Sequence, residues 1–328
     1  MIPVYNDEQY IKECLQSALY QTYRNTEIII INDGSTDNSL KIIKDMIQNH
    51  HNVKLITREN KGICFTRQQL VKEFTGDYAI FLDGDDYIDK DTCLKLIEII
   101  LNNPNCNLIK FDYKKFNDNY NYMESKNTGD IIKYKSEEVL KKYIFSDKVF
   151  TMVLWGRLYE SKLLKQIDFG NNLPEDYYTA FEIYLNANEI IHCSIPLYNY
   201  RLRKNSYTIR KEYKDYYSKL IVGDKVYQEE MKYYKGTRYE YRINDIYIFN
   251  FFRISAEIYN RLQDPQLKEL YDICNKKIKE NKKKKISLKT KILIIMYNIL
   301  PKLTLKFIYN IKIAKKYKER EKWEQSIL

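Results

Sequence analysis

The first hundred residues alternate apolar runs with stretches of helical periodicity, and that alternation leaves a chain few folds to choose from. "EIIII" at 27–31 is a β-branched run suited to a strand buried on both faces. "IPV" at 2–4, "VKLI" at 53–56 and "YAIFL" at 78–82 are the other strand signals. Between them Ile11, Leu15, Ala18 and Leu19 fall at helical spacing. Leu40, Ile43 and Ile47 lie along one side of a segment opened by cap-forming residues. "GICFTRQQLVKEF" reads as a third helix and "DTCLKLIEIILNN" as a fourth, closed by Pro104. Four successive βα units predict an α/β, doubly wound, mostly parallel sheet with ligands at the carboxyl ends of its strands.

After "NLIKFDY" the regularity weakens, and residues 114–136 are polar and tyrosine-rich. Helix and strand signals resume through "VLKKYIF", "PEDYYTAFEIYLNANE" and "IPLYNYRLR". From about Tyr207 onward the chain reads as helical. The expected organisation is therefore an α/β domain over 1–206, a helical extension over 207–275 and a basic amphipathic tail over 276–328.

Acidic clusters follow two of the strands. "NDGSTDNS" comes after the second and "DGDD" after the fourth, so both are expected on one rim of the sheet. Taken singly, each also reads as a capped turn. Asp83, Asp85 and Asp86 leave a buried strand, however, where like charges are poorly screened. A divalent cation would relieve them, and oxygen-only ligands suit magnesium or manganese. An EF-hand is excluded, because position six counted from Asp83 is Ile88 and position twelve is Leu94. Such a cation usually completes its shell with phosphate oxygens, which points to a nucleotide. Neither G-x-G-x-x-G nor G-x-x-x-x-G-K-[ST] occurs. The cation, rather than a glycine loop, would then bind a diphosphate. Asp33 could accept the N–H of an imide-bearing base such as uracil.

Composition narrows the class. Hydrophobic residues make up 44% of the chain, ample for a core, and the six cysteines form no C-x-x-C pair. A zinc ribbon and a disulfide framework are therefore not expected. The opening "MIPVYNDEQY" lacks the basic start and apolar stretch of a secretory signal. Charge is unevenly spread. The net charge is +11, yet Lys276 to Lys318 holds fifteen lysines and one acid, so the remainder is close to neutral.

In these motifs the chain resembles the family 2 glycosyltransferases of the GT-A fold. The matching pieces stand in the family's order: "IPVYN", "QTYRNTEIIIINDGSTDNS", "ENKGICFTRQQLVKEFTGDYAIFLDGDD", "LWGRLYESKLL", "PEDYYTAFEIYL" and "PLYNYRLRKNS". The resemblance spans about residues 1–206. It implies that Asp33 contacts uracil, that Arg67 lies near the nucleotide, and that Asp83 lies near the ribose. By the same resemblance Asp85 sits on the metal and Asp86 is the extra acid beside it. Asp176 is implied as the base that deprotonates the acceptor hydroxyl, with Glu175 its neighbour and Trp155 on the acceptor side. Arg201 and Arg203 lie where basic residues approach the diphosphate. For the Glu175–Asp176 pair a plainer reading is the favourable placing of acids in a first helical turn. The family's first strand usually has several apolar residues before Ile-Pro-Val-Tyr-Asn, and here Met1 stands directly before Ile2. The first strand is thus expected to be truncated.

The expectation is an inverting, metal-dependent transfer from a nucleotide-sugar, UDP-linked, to a glycan or lipid-linked acceptor in bacterial surface-polysaccharide synthesis. The rivals are a nucleotidyltransferase, which would want a glycine-rich basic loop where "YNDEQY" stands, and a non-catalytic relic or lysine-rich binding protein. "KILIIMYNIL" is too short to span a bilayer, while Ile299, Leu303, Phe307 and Ile311 repeat every four residues beside Lys302 and Lys306. That pattern suits a cytoplasmic protein resting on the anionic inner face of the membrane. A helix packed on the body with solvated lysines is the plain alternative. No nucleic-acid fold signature accompanies the lysines.

Overall fold

The structure is a computed structural model. It describes residues 1–116, 128–139, 153–169, 175–203 and 212–310, with the side chains of 175–178 excepted. Contacts divide the chain into two compact units, Met1–Ser206 and Tyr207–Leu328.

In the first unit the strands β1 (Ile2–Val4), β2 (Ile28–Asp33) and β3 (Val53–Arg58) pair in parallel, with β2 in the middle. The register sets Val4 against Asn32 and Asp33 against Arg58, so the carboxyl ends of all three strands lie level. Every residue of β2 is buried, as its isoleucine run requires of a central strand. The helices α1 (Ile11–Leu19), α2 (Ser39–Ile47), α3 (Ile63–Glu73) and α4 (Thr92–Leu101) follow the apolar periodicity. Their inward residues Leu15, Ile43, Leu70 and Leu96 are fully buried. Together with the sheet they form a core whose burial, at about 25 cal/mol per Å² of apolar surface, is what holds the layers together.

The "YAIFL" run forms only a three-residue strand, β4 (Tyr78–Ile80). Phe81 and Leu82 leave the ladder, but β1 stays tied to this segment. Met1 N donates to Ile80 O at 2.9 Å and Leu82 N to Met1 O at 3.0 Å, a parallel pattern that brings the two sheets edge to edge. The second sheet adds β5 (Tyr87–Ile88), β6 (Cys106–Phe116), β7 (Ile131–Lys135), β8 (Arg157–Glu160) and β9 (Glu189–Arg201). Its order is β4-β8-β6-β9-β5, with β7 also on β9. Only β6 and β9 run parallel here, through a register broken near Asp112. The helices α5 (Ser161–Lys165) and α6 (Glu175–Asn186) belong to the same unit.

The second unit is helical: α7 (Tyr213–Tyr234), α8 (Glu240–Ile258), α9 (Pro265–Asn281), α10 (Leu288–Ile299) and α11 (Pro301–Ile308). Asp264 caps α9, accepting from Gln266 N at 2.9 Å with Pro265 at the first position, and Ser287 caps α10. Phe251, Phe252, Leu267, Leu270 and Ile278 are fully buried between the helices, and the Tyr227 and Tyr247 rings stack 3.9 Å apart. The lysine-rich stretch begins inside α9, so residues 275 and 276 share one continuous helix. Among the described residues no helix is long and apolar enough to cross a membrane.

Candidate active site

The rim at the carboxyl ends of β1 to β4 is where the acids meet their partners. The loop after β1 and the loop after β2 are stitched together. Asn6, at φ 56°, accepts from Thr36 N at 2.8 Å, and Asp7 N donates to Ser39 Oγ at 2.8 Å. Glu8 Oε2 accepts from Asn38 N at 2.9 Å. Much of "STDNS" therefore serves to fold the two loops against each other.

Asp33, at the end of β2, is buried. Its Oδ1 accepts from Lys61 N at 3.0 Å and lies 2.9 Å from Arg58 Nη2; its Oδ2 accepts from Gly62 N at 2.8 Å. Asp33 thus fixes the 60–62 turn that opens α3, the helix carrying Arg67. Gly34 permits this closeness: its φ is 72°, and a Cβ there would stand 2.6 Å from Asn60 N.

The "DGDD" turn lies between β4 and β5. The resemblance singles out Arg67, Arg201 and Arg203, and the structure brings each of them to this turn. Arg67 Nη2 lies 3.0 Å from Asp83 Oδ1. Arg203 bridges two acids, with Nη2 2.5 Å from Asp85 Oδ2 and Nη1 3.5 Å from Asp7 Oδ1. Arg201 donates from Nε to Asp85 O at 2.9 Å, pairs with Glu13, and lies over the Phe116 ring. Guanidinium charge, rather than a cation alone, is what first offsets the crowded carboxylates.

Burial still tells on the acids. It pushes Asp7 up to about 7, helped by Asp85 and opposed by Arg203. Burial also raises Asp85, with Arg203 opposing and Asp83 adding to the rise. Gly84 lets the Asp7 carboxylate approach, since a Cβ there would stand 2.6 Å from Asp7 Oδ2.

The resemblance groups Asp86 with Asp85 on the metal, but the structure gives Asp86 different company. It is only 2% exposed. Its Oδ1 accepts from Arg201 N at 2.7 Å and its Oδ2 from Tyr198 Oη at 2.7 Å. Tyr198 Oη in turn accepts from Asp83 N at 3.2 Å. With both oxygens so engaged, Asp86 buckles the turn to β9, and burial beside Asp85 and Asp83 lifts its carboxyl well above the ordinary range.

Trp155 lies behind this cluster, against Tyr198. It is 8% exposed and nearly parallel to Tyr198 and Tyr200, at 4.8 and 5.0 Å, with the Tyr113 ring edge-on at 4.8 Å. It backs the tyrosine that holds Asp86. Glu175 and Asp176 open α6, and their side chains lie outside the described residues. Asp7, Arg58 and Tyr198 are the rim residues that sequence reading missed. Asp7 and Arg58 carried a usable signal, since both stand at or just past the carboxyl end of a predicted parallel strand.

A family model described as "Glycosyl transferase family 2" matches residues 1–167. The glycosyltransferase GlyA of Streptococcus pneumoniae is 32% identical over 213 residues, 63% of this chain and 30% of GlyA. The putative glycosyltransferase EpsH of Bacillus subtilis is 30% identical over 232 residues, 68% of this chain and 65% of EpsH. The chain thus spans less than two thirds of either relative. Among solved structures, residues 1–349 of Staphylococcus aureus TarS, in complex with UDP-GlcNAc, superpose with a TM-score of 0.58 at 18% identity, covering 85% of this chain and 90% of that one. That likeness establishes the GT-A fold. The family model covers half of the sequence, including Asp7, Asp33, Arg58, Arg67 and the Asp83–Asp86 turn, and the chain belongs to glycosyl transferase family 2.

Proposed function

We propose that the protein transfers a sugar, with inversion, from a nucleotide donor to a hydroxyl of a glycan or lipid-linked acceptor in cell-surface polysaccharide synthesis. The observation that carries this reading is the convergence of Asp33, the Arg67–Asp83 pair and the Arg203–Asp85 pair on one rim. TarS, of the same fold, is known with UDP-GlcNAc, which supports a UDP-linked donor here. Asp33 and Arg58 take the base end, where Asp33 retains acceptor capacity for an imide N–H beyond its backbone contacts. Asp83 takes the ribose.

A divalent cation, manganese or magnesium, fits beside Asp85. That carboxylate is half-buried among acids, offers hard oxygen donors, and already draws a positive group, Arg203, to 2.5 Å. Among the described residues no three His, Cys, Asp or Glu side chains form a ready-made metal cage. A cation here would therefore share its shell with diphosphate and water. When bound, it supplies charge compensation for the departing nucleoside diphosphate. Arg67, Arg201 and Arg203 add fixed positive charge to the same end. Asp86 keeps the turn in place, and Trp155 steadies Tyr198 behind it.

On the acceptor side Asp176 takes the proton from the attacking hydroxyl, with Glu175 beside it in sequence. One base and one stabilised leaving group suffice for inversion, without a covalent nucleophile. The enzyme works in the cytoplasm, peripherally attached to the inner face of a bacterial membrane. The test is a panel of nucleotide-sugars incubated with lipid extract, with and without manganese, followed by anomeric analysis of the product. Cation-dependent release of UDP with an inverted linkage supports the reading. Retention at the anomeric carbon, or release of another nucleotide, overturns it.

A further inference from the structure

The helices α10 and α11 are apolar on two opposite sides, and among the described residues only one side is packed within their unit. Inward, the Tyr297 ring meets Phe252 edge-on at 5.2 Å, while Thr304, Leu305 and Ile308 are buried. Ser287 N at the start of α10 donates to Asp245 Oδ1 at 3.0 Å. These contacts make the pair part of the folded unit.

At about 100° per residue, Leu288, Ile292, Ile295, Met296 and Ile299 fall within an arc of about 100°, opposite Thr290, Ile294 and Tyr297. All five are exposed, Ile299 by 69%. Leu300, Leu303 and Phe307 continue the outer face across the Pro301 corner, each more than half exposed. A contiguous apolar surface of this kind marks an interaction site rather than ordinary surface scatter.

We propose that this outer face docks in the plane of an anionic lipid bilayer. The charges decide between occupants. Lys289 and Lys291 flank the α10 stripe on its two sides, and Lys302 and Lys306 are exposed beside Leu303 and Phe307. From Asn281 to Asn310 the sequence has no Asp or Glu. Apolar side chains between rows of lysine match the acyl boundary below and acidic headgroups around it. A second copy of the chain would instead bring lysine rows against each other, a like-charge contact that disfavours pairing. Helices of twelve and eight residues broken by a proline cannot span the bilayer, so they lie along its surface. The inference is independent of the transfer chemistry. It deepens the membrane location proposed above by naming the surface responsible.

The test is flotation of the full chain with phosphatidylcholine vesicles, with and without phosphatidylglycerol. A combined Ile299→Ser, Leu303→Ser and Phe307→Ser variant removes outer side chains only and should keep its cooperative melting. Wild type should float with the anionic vesicles, and the serine variant should partition at least about tenfold less. Replacing Lys289, Lys291, Lys302 and Lys306 by Gln should remove the preference for phosphatidylglycerol. High salt should weaken wild-type binding but leave a residual part. Vesicle binding that the serine variant retains would put the protein on membranes through another segment and overturn this assignment alone. No vesicle binding by wild type would overturn the membrane location as well. A dimer dissolved by the same serines, without vesicle binding, would assign the face to a second copy and contradict the proposal.

Discussion

Each carboxylate of the Asp83–Asp86 turn is answered by a different neighbour, and this sorts acids that look alike in sequence. Asp83 faces Arg67, Asp85 faces Arg203, and Asp86 is closed off by Tyr198 and Arg201. Tyr198→Phe removes one hydroxyl and leaves a buried carboxylate short of a donor, a loss of about 1–3 kcal/mol. Urea denaturation should show that loss, and nucleotide affinity should fall because the Asp83–Asp86 turn loosens from β9. Unchanged stability would mean that Asp86 needs no buckle. Asp176 makes a separate prediction. Asp176→Asn keeps the shape but loses the proton acceptor, so turnover should drop about 100-fold while donor affinity barely changes. Steady-state kinetics alongside nucleotide titration would check it, and full turnover by the variant would move the base to another residue.

At the scale of elements, how well the sequence could be read followed how local the determinants were. β2 and the helices α1 to α4 are legible because isoleucine runs and helical spacing are read from neighbours in the chain. The long pairing of β6 with β9 is not, since two strands some eighty residues apart meet through shifted register. Asp33 and Asp83 are legible as rim acids from their place after strands. The pairing of Asp33 with Arg58, at the end of β3, follows from the fold, whereas Arg67, the partner of Asp83, follows from the family resemblance. The burial of Asp86 and Trp155 is not legible, because sequence position does not reveal depth. Likewise, the spacing of Ile299, Leu303 and Phe307 shows an apolar stripe but not whether it faces in or out. The turn after β2 supplies a prediction at this scale. Gly34→Ala would force a positive φ on a side chain and push it against Asn60, at a cost of about 1–3 kcal/mol. Thermal melting should drop, and nucleotide binding should weaken with it because the 60–62 turn that grips Asp33 must shift. A variant as stable as wild type would show that the two loops tolerate separation.

For the whole molecule, a buried acid in the helical unit ties stability to pH. Glu230 of α7 is buried, which lifts its carboxyl from 4.5 in the open chain to about 8. Between those values the folded state holds a proton that the unfolded state has released, so stability is highest below the window and falls as pH rises through it. Glu230→Gln should therefore be close to neutral at low pH and stabilise by a few kcal/mol above about pH 8. Urea unfolding followed by the helical signal would show this, and an equal effect at both ends of the window would contradict it. The central claim, that the first unit is a cation-assisted site for a nucleoside diphosphate, has its most direct test in calorimetric titration of UDP. Wild type and Asp85→Asn would each be titrated with manganese and with a chelator. Wild type should bind UDP in a manganese-dependent way, and Asp85→Asn should bind at least about tenfold more weakly while its melting temperature holds. Tight binding of UDP by wild type in the chelator, or undiminished manganese-dependent binding by Asp85→Asn, would contradict that claim.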